Sequence, residues 1–282
     1  PYLHDLDLAE EDSLSVRASS CQSSNGALLR IAVIRLPRMS NFTDFDVLRR
    51  EPDVALQFIE TPPTGDHMPD AIILPGTKST VADLSFVRRQ QLDGYLQRCR
   101  EAGREVIGIC GGFQMLGRRI LDPDLVEATT TETEGLGWLP LDTHFHREKA
   151  VCHVQGRHMD SGLPVVGYEI HMGRAEQPMV KRPVVQITQR SNQPAQDEDG
   201  LRSEDGRVWG TYLHGIFDAP EFRRWWLNRL RQRRGLPPLL ASNESLPETA
   251  YDRLADVVRT HLNMKAIYEL LESRVETSFS KP

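Results

Sequence analysis

The sequence predicts an α/β fold, a mostly parallel sheet with helices on both faces and an antiparallel extension. Three observations carry that expectation. Short runs rich in Ile and Val recur at Ile31–Leu36, Val54–Ile59, Ala71–Leu74 and Val106–Ile109, as in strands buried on both faces. Helix-length segments follow the last two: Ser79–Gly103, with Gly103 placed as a C-terminal stop, and Gly112–Leu121. Strand alternating with helix is the pattern of a parallel sheet. Beyond Gly135 the pattern changes to alternation, in Ala150–Val154, Val165–His171 and Val184–Thr188, which suits antiparallel pairing.

The remaining elements follow in order. Residues 1–28 hold little periodicity, with Glu10-Glu11-Asp12 and a Ser-rich stretch before Gly26; they read as a linker or the tail of an upstream domain. Residues 29–235 form the main domain. Asn192–Asp205, with five acidic residues, reads as a solvated, mobile loop. Arg207–Leu213 is a further strand, and Pro220 suits the first turn of the helix after it. Leu236-Pro237-Pro238 ends this domain, and 236–282 is a linker followed by an amphipathic helix over Tyr251–Ser273. Leu254, Val257, Val258, Leu262, Ile267 and Leu270 lie on its broad apolar face.

Composition excludes several classes. With 39% hydrophobic and 26% charged residues the 282-residue chain can build a core. A formal charge of -6 argues against nucleic acid or an anionic membrane as partner. No apolar run approaches the ~20 residues a membrane span needs. Cys21, Cys99, Cys110 and Cys152 form no CxxC pair, and residues 1–16 show no signal-peptide character. A reduced, cytoplasmic protein is therefore expected.

The chemistry concentrates at Val106–Gly117. A buried strand ends at Cys110 and a helix starts after Gly111-Gly112, which is the layout of a nucleophile elbow with Cys in place of Ser. The helix N-terminus favours a thiolate, and the Gly111 amide is placed to meet a developing oxyanion. His214, at the end of the strand Arg207–Leu213, is the candidate base. Leu74–Thr80 imitates a phosphate loop, but Ile72 and Thr77 stand where G-x-x-x-x-G-K-[ST] requires Gly. Its Gly76 instead offers a second oxyanion amide. His144, His146, Cys152, His153 and His158 match no zinc spacing, so no metal is expected. Glu169 and His171 share one strand face, which leaves three readings open: orienting His214, contacting substrate, or a solvated polar face.

Gly108, Cys110, Gly112 and Gln114 reproduce G-[IVL]-C-x-G-x-Q and resemble the elbow of class I glutamine amidotransferases, which implies that Gln114 contacts substrate. Full-triad members carry His-Pro-Glu at the second site, whereas Gly215 and Ile216 follow His214 here. The missing Glu resembles the subgroup with Cys and His alone. Leu36–Asp46, Leu74–Thr80, Gly167–Gly173 and Asp252–Leu262 narrow the likeness to the cobyric acid synthase family.

That resemblance implies a glutaminase that hydrolyses L-glutamine through a Cys110 thioester. The ammonia would serve ATP-dependent amidation of corrinoid side-chain carboxylates in cobalamin biosynthesis. It further implies an N-terminal synthetase domain in cis, which holds ATP and Mg, with residues 1–28 trailing from it and no cofactor in this chain. Two rivals stand beside it: another Cys-His amidotransferase (cobyrinic acid diamide synthase or a cell-wall-precursor amidating enzyme) and a non-catalytic scaffold retaining the fold.

Overall fold

A computed structural model describes residues 28–65, 68–176, 182–241 and 248–270. The segment read as a linker, 1–28, lies outside these residues except for Leu28. One unit falls within Glu10–Ser242 and the second includes Asn243–Pro282.

The first sheet is built from the apolar runs. β1 (Leu29–Ile34), β2 (Val54–Ile59), β3 (Ala71–Leu74) and β4 (Glu105–Ile109) are parallel neighbours, joined by β12 (Val208–Thr211) beside β4. A short antiparallel strand, β11 (Leu201–Arg202), completes the order β11-β12-β4-β3-β1-β2. Every residue of β3 and β4 is buried, as continuous apolar strands require when both faces are covered. Between β1 and β2 lie a 3₁₀ turn at Phe42–Phe45 and the one-turn α1 (Asp46–Arg49).

Two helical expectations need correction. Ser79–Gly103 is not one helix but α2 (Thr80–Arg89) and α3 (Leu92–Glu101). The break sits at Gln91, whose φ of 57° is left-handed and cannot continue a helix. Gly103 does follow α3 in the left-handed region, φ 73°. The helix expected over Gly112–Leu121 is the shorter α4 (Gly111–Leu116). Gly117 is extended, and Arg119–Leu121 form β5, which pairs with both β6 (Glu132–Glu134) and β7 (Asp142–His158). Sheet partners outcompete helix propensity there.

The antiparallel part is a second sheet rather than an extension of the first. It runs β10 (Gln193–Asp199), β9 (Val185–Arg190), β7, β5, β6, with β8 (Pro164–Glu176) on β7. The loop expected at Asn192–Asp205 is instead a hairpin arm. Ser191 and Asn192, with φ of 45° and 66°, turn β9 (Val185–Arg190) into β10 (Gln193–Asp199), and two left-handed residues are what a tight hairpin turn needs.

α5 (Pro220–Arg233) follows β12 and is fixed by buried ion pairs. Arg223 donates to Glu51 at 2.6 Å, Arg231 to Asp53 at 2.8 Å, and Arg224 to both carboxylates. The second unit contains α6 (Glu248–His261). The helix expected over Tyr251–Ser273 is interrupted at 262–263 and resumes over 264–270. The Asn263 side chain accepts from the Ala266 amide at 3.1 Å, starting a new helix. Leu262 and Leu270 are exposed, and 271–273 lie outside the described residues.

Candidate active site

Cys110 occupies the junction of β4 and α4 with φ 51° and ψ −109°, a strained conformation for a residue with a side chain. Gly112 makes the junction possible, since a Cβ there would lie 2.0 Å from the Leu74 carbonyl oxygen. The sulfur faces a cavity of about 260 Å³ lined also by Asn41, Thr77, Gly111, Gln114, Glu127 and His171. Its thiol contacts the Ile170 carbonyl at 3.6 Å.

His214 follows β12 through a turn held by buried Asp199. That carboxylate accepts from the Thr211 hydroxyl and, at 3.2 Å, from the Tyr212 amide. Burial raises Asp199 to about 6, with the Glu169 charge adding to it. His214 and Tyr168 exchange both backbone hydrogen bonds, 2.8 and 3.1 Å, and their rings stack with centroids 5.2 Å apart. The imidazole is fully buried. Burial alone would lower its pKa. The charge and hydrogen bond of Asp44, followed by those of Cys110, outweigh burial and raise it to about 10. Cys110 and His214, far apart in sequence, are thus brought together so that the sulfur acts on the charge of the imidazole.

The site includes three side chains that the motif reading passed over. Asp44, in the 3₁₀ turn after β1, accepts from His214 Nδ1 at 2.8 Å. Asn41 presents its amide nitrogen 3.0 Å from Nδ1 and 2.9 Å from Nε2. Glu127 reaches the cavity wall from a loop whose Val126, Glu127 and Ala128 amides all donate to Asp122. Its carboxylate accepts from the Val81 amide at 2.9 Å, and burial raises its pKa against hydrogen bonds from Val81 and Thr80. Asn41 and Asp44 fall within Leu36–Asp46, a segment that sequence reading used only for its family likeness. Its acidic residues were the available signal.

Other candidates take different positions. Gln114 lines the cavity, and its side chain is held by Thr80 (2.8 Å) and Tyr212 (3.4 Å). Gly76 is not on the cavity wall with Gly111 and Thr77; it packs against His214, where a Cβ would lie 2.7 Å from Cε1. Glu169 makes no hydrogen bond or ion pair with His214. It pairs with Arg190 and lies 3.7 Å from His171 Nε2. Burial would raise Glu169, but hydrogen bonds from His171 and Arg190 hold it below the usual carboxylate range. His171 faces the cavity and stacks on Tyr212 at 3.9 Å.

The Leu74–Thr80 turn does not suit a phosphate. The Lys78 amide donates to Arg38, the Ser79 amide to Thr77 and the Val81 amide to Glu127. The Thr77 hydroxyl bonds Asp83 at 2.6 Å, so the turn lacks the run of free amides that cradles a phosphate. Among the described residues no group of three His, Cys, Asp or Glu side chains is placed to hold a metal ion, and no helix is long and apolar enough to cross a membrane.

Residues 30–222 match the family model of the CobB/CobQ-like glutamine amidotransferase domain. The chain is 40% identical to a cobyric acid synthase of Desulforamulus reducens, over 96% of this chain and 54% of that protein. It is 41% identical to one of Alkaliphilus metalliredigens, over 95% and 55%. The chain thus spans about half the length of the curated relatives it matches. Among solved structures, PurLQS from Thermotoga maritima aligns with TM-score 0.53 at 18% identity, covering 72% of this chain and 99% of that one. A structure described as a glutamine amidotransferase aligns with TM-score 0.51 at 14% identity, covering 72% and 98%. At these identities the structures speak for the fold alone.

Proposed function

The chain belongs to the CobB/CobQ-like glutamine amidotransferase domain family, and on that premise we propose that its Cys110–His214 site hydrolyses the side-chain amide of L-glutamine. The observation that carries this reading is the strained Cys110, which faces a cavity while a fully buried His214, anchored to Asp44, stands beside it. A thiolate is the attacking form of a cysteine, and a neighbouring histidine is the base that such a nucleophile needs.

The thiolate attacks the side-chain carbonyl carbon of glutamine, and the carbonyl π electrons move onto oxygen. Gly111, directly after the sulfur and on the cavity wall, offers its amide to that oxygen. Thr77, on the same wall, replaces Gly76 as the neighbour from which a second amide would come. His214 gives its Nε2 proton to the departing nitrogen as the C–N bond breaks, leaving ammonia and a γ-glutamyl thioester. Water, deprotonated by the same nitrogen, then cleaves the thioester to glutamate and restores the sulfur. Glu127 supplies a carboxylate for the substrate α-ammonium, whose positive charge would repay its burial.

In this reading the ammonia passes to a synthetase portion in cis, which uses ATP and Mg to amidate corrinoid carboxylates in the cytoplasm. Relatives named cobyric acid synthase, nearly twice as long as this chain, support that setting. A glutamine-directed diazoketone tests the central step. The expected result is one alkylated Cys110, a thioether ketone formed with loss of dinitrogen, and in the untreated protein glutamate release that Cys110→Ser abolishes. Glutamate release surviving Cys110→Ser would remove the nucleophile. No adduct and no release would favour a non-catalytic scaffold.

A further inference from the structure

We propose that Asp44 completes a Cys110–His214–Asp44 relay as its positioning residue, supplied from the 3₁₀ turn after β1 rather than from the segment after His214. The inference rests on the glutaminase reading and deepens it. In the sequence the relay looks incomplete, because position 216 holds Ile216, which is fully buried. The fold brings a carboxylate to the same imidazole from 170 positions away.

The use made of the two carboxylate oxygens separates this role from simple packing. Oδ2 accepts from His214 Nδ1 at 2.8 Å, while Oδ1 accepts from the Gly215 amide at 2.9 Å. One oxygen therefore holds the ring and the other holds the backbone that carries it, so ring rotation and tautomer are fixed together. With hydrogen on Nδ1, Nε2 is left to exchange a proton with Cys110. Asn41 also faces the ring, its amide nitrogen 3.0 Å from Nδ1 and 2.9 Å from Nε2, so its N–H can donate to Nε2 of the neutral ring while Asp44 holds the Nδ1 hydrogen.

Asp44 is itself preorganised. It is 2% exposed, and its neighbour Phe45 is fully buried against Phe58 with ring centroids 6.1 Å apart. The preceding loop is tied to the Gly76 turn by Ser40 N to Gly76 O, 3.0 Å, and Lys78 N to Arg38 O, 2.9 Å. The other charged groups around the pair do not replace Asp44. Asp218 is raised to about 6 by burial and then by the charge of Asp44, Asp46 acts on Asp218 in the same sense, and Arg223 opposes both. The salt bridge to His214 is made by Asp44. During the reaction the Nε2 proton goes to the leaving nitrogen, while the Nδ1 proton stays on the ring, facing Asp44.

The test is the pH dependence of Cys110 alkylation by iodoacetamide in this chain, wild type against Asp44→Asn, alongside glutamine turnover. The relay predicts that the inflection of the alkylation profile moves by at least one pH unit in Asp44→Asn. It also predicts that kcat falls about 10²- to 10⁴-fold while KM changes less than threefold. Near-ultraviolet circular dichroism checks that the variant is folded. If it is not, nitrogen-15 NMR of the wild type decides: the relay requires a protected Nδ1–H signal that disappears in His214→Asn. An unshifted alkylation profile with retained kcat in folded Asp44→Asn, or a His214 without hydrogen on Nδ1, overturns the proposal. The glutaminase reading fails separately, if wild-type protein shows the Asp44-dependent profile yet neither hydrolyses glutamine nor takes the diazoketone.

Discussion

Gly76 lies so close to His214 that a β-carbon on it would sit 2.7 Å from Cε1, with Ser40 Oγ a further 3.3 Å neighbour. The turn after β3 therefore shapes the place of the imidazole. Tight packing makes this contact directional, because the ring is fully buried and held on its other sides by Asp44 and Tyr168.

Gly76→Ala should consequently displace the ring rather than unfold the chain. A shift of about 1 Å at a proton-transferring group typically costs on the order of 10²-fold in rate. The expected outcome is a kcat loss of that order with the thermal midpoint nearly unchanged. Wild-type turnover in Gly76→Ala would mean that the ring has room to yield and that the turn only packs.

Glu127 gives a prediction of a different kind. If its carboxylate holds the α-ammonium, Glu127→Gln weakens binding without touching the sulfur or the imidazole. A hydrogen bond to a charged group is worth about 1.5–3 kcal/mol, which translates to a rise in KM for glutamine of roughly tenfold or more. The kcat should stay within about threefold. A fall in kcat at constant KM would place Glu127 in the chemistry instead.

Local sequence carried the elbow, because strand, Gly-Gly and helix must be contiguous for it to exist. The four parallel strands were legible for the same reason: each is a short apolar run interpretable alone. What stayed hidden depended on partners distant in the chain. Asp44 is one of two aspartates in Asn41–Asp46, and nothing in its neighbours says that His214 will stand over it. Glu127 needed the Asp122 loop to turn it inward. Glu169 looked like part of the site because strand alternation places it beside His171, but alternation cannot tell that Arg190 on β9 neutralises it. The division of Ser79–Gly103 into α2 and α3 rests on one left-handed residue, Gln91, of a type that rarely adopts that conformation.

His158 supplies the last prediction, on stability against pH. Its spacing matches no zinc set, and it is buried between Phe222 and Trp225, with both ring centroids at 4.8 Å and its Nδ1 facing the Ser161 hydroxyl at 3.0 Å. Burial lowers its pKa to about 4. The unfolded chain takes up this proton near pH 6.5, the folded chain only near 4. Between those values the unfolded state binds more protons, so this residue makes stability fall as pH falls from about 6.5 to 4. At about 1.4 kcal/mol per pKa unit the full effect is about 3 kcal/mol. Asp199 and Asp218, both raised to about 6, act with the opposite sign over part of the same range. His214, raised to about 10, contributes stability that is fully present below 6.5 and lost only above it, so it leaves the acid side unaffected. The clean measurement is therefore a difference. His158→Asn keeps a polar atom for Ser161 and removes the titration. Urea unfolding at pH 7 and pH 4 should show the wild type losing about 3 kcal/mol more than the variant. Parallel losses in the two proteins would mean that His158 titrates normally in the folded state.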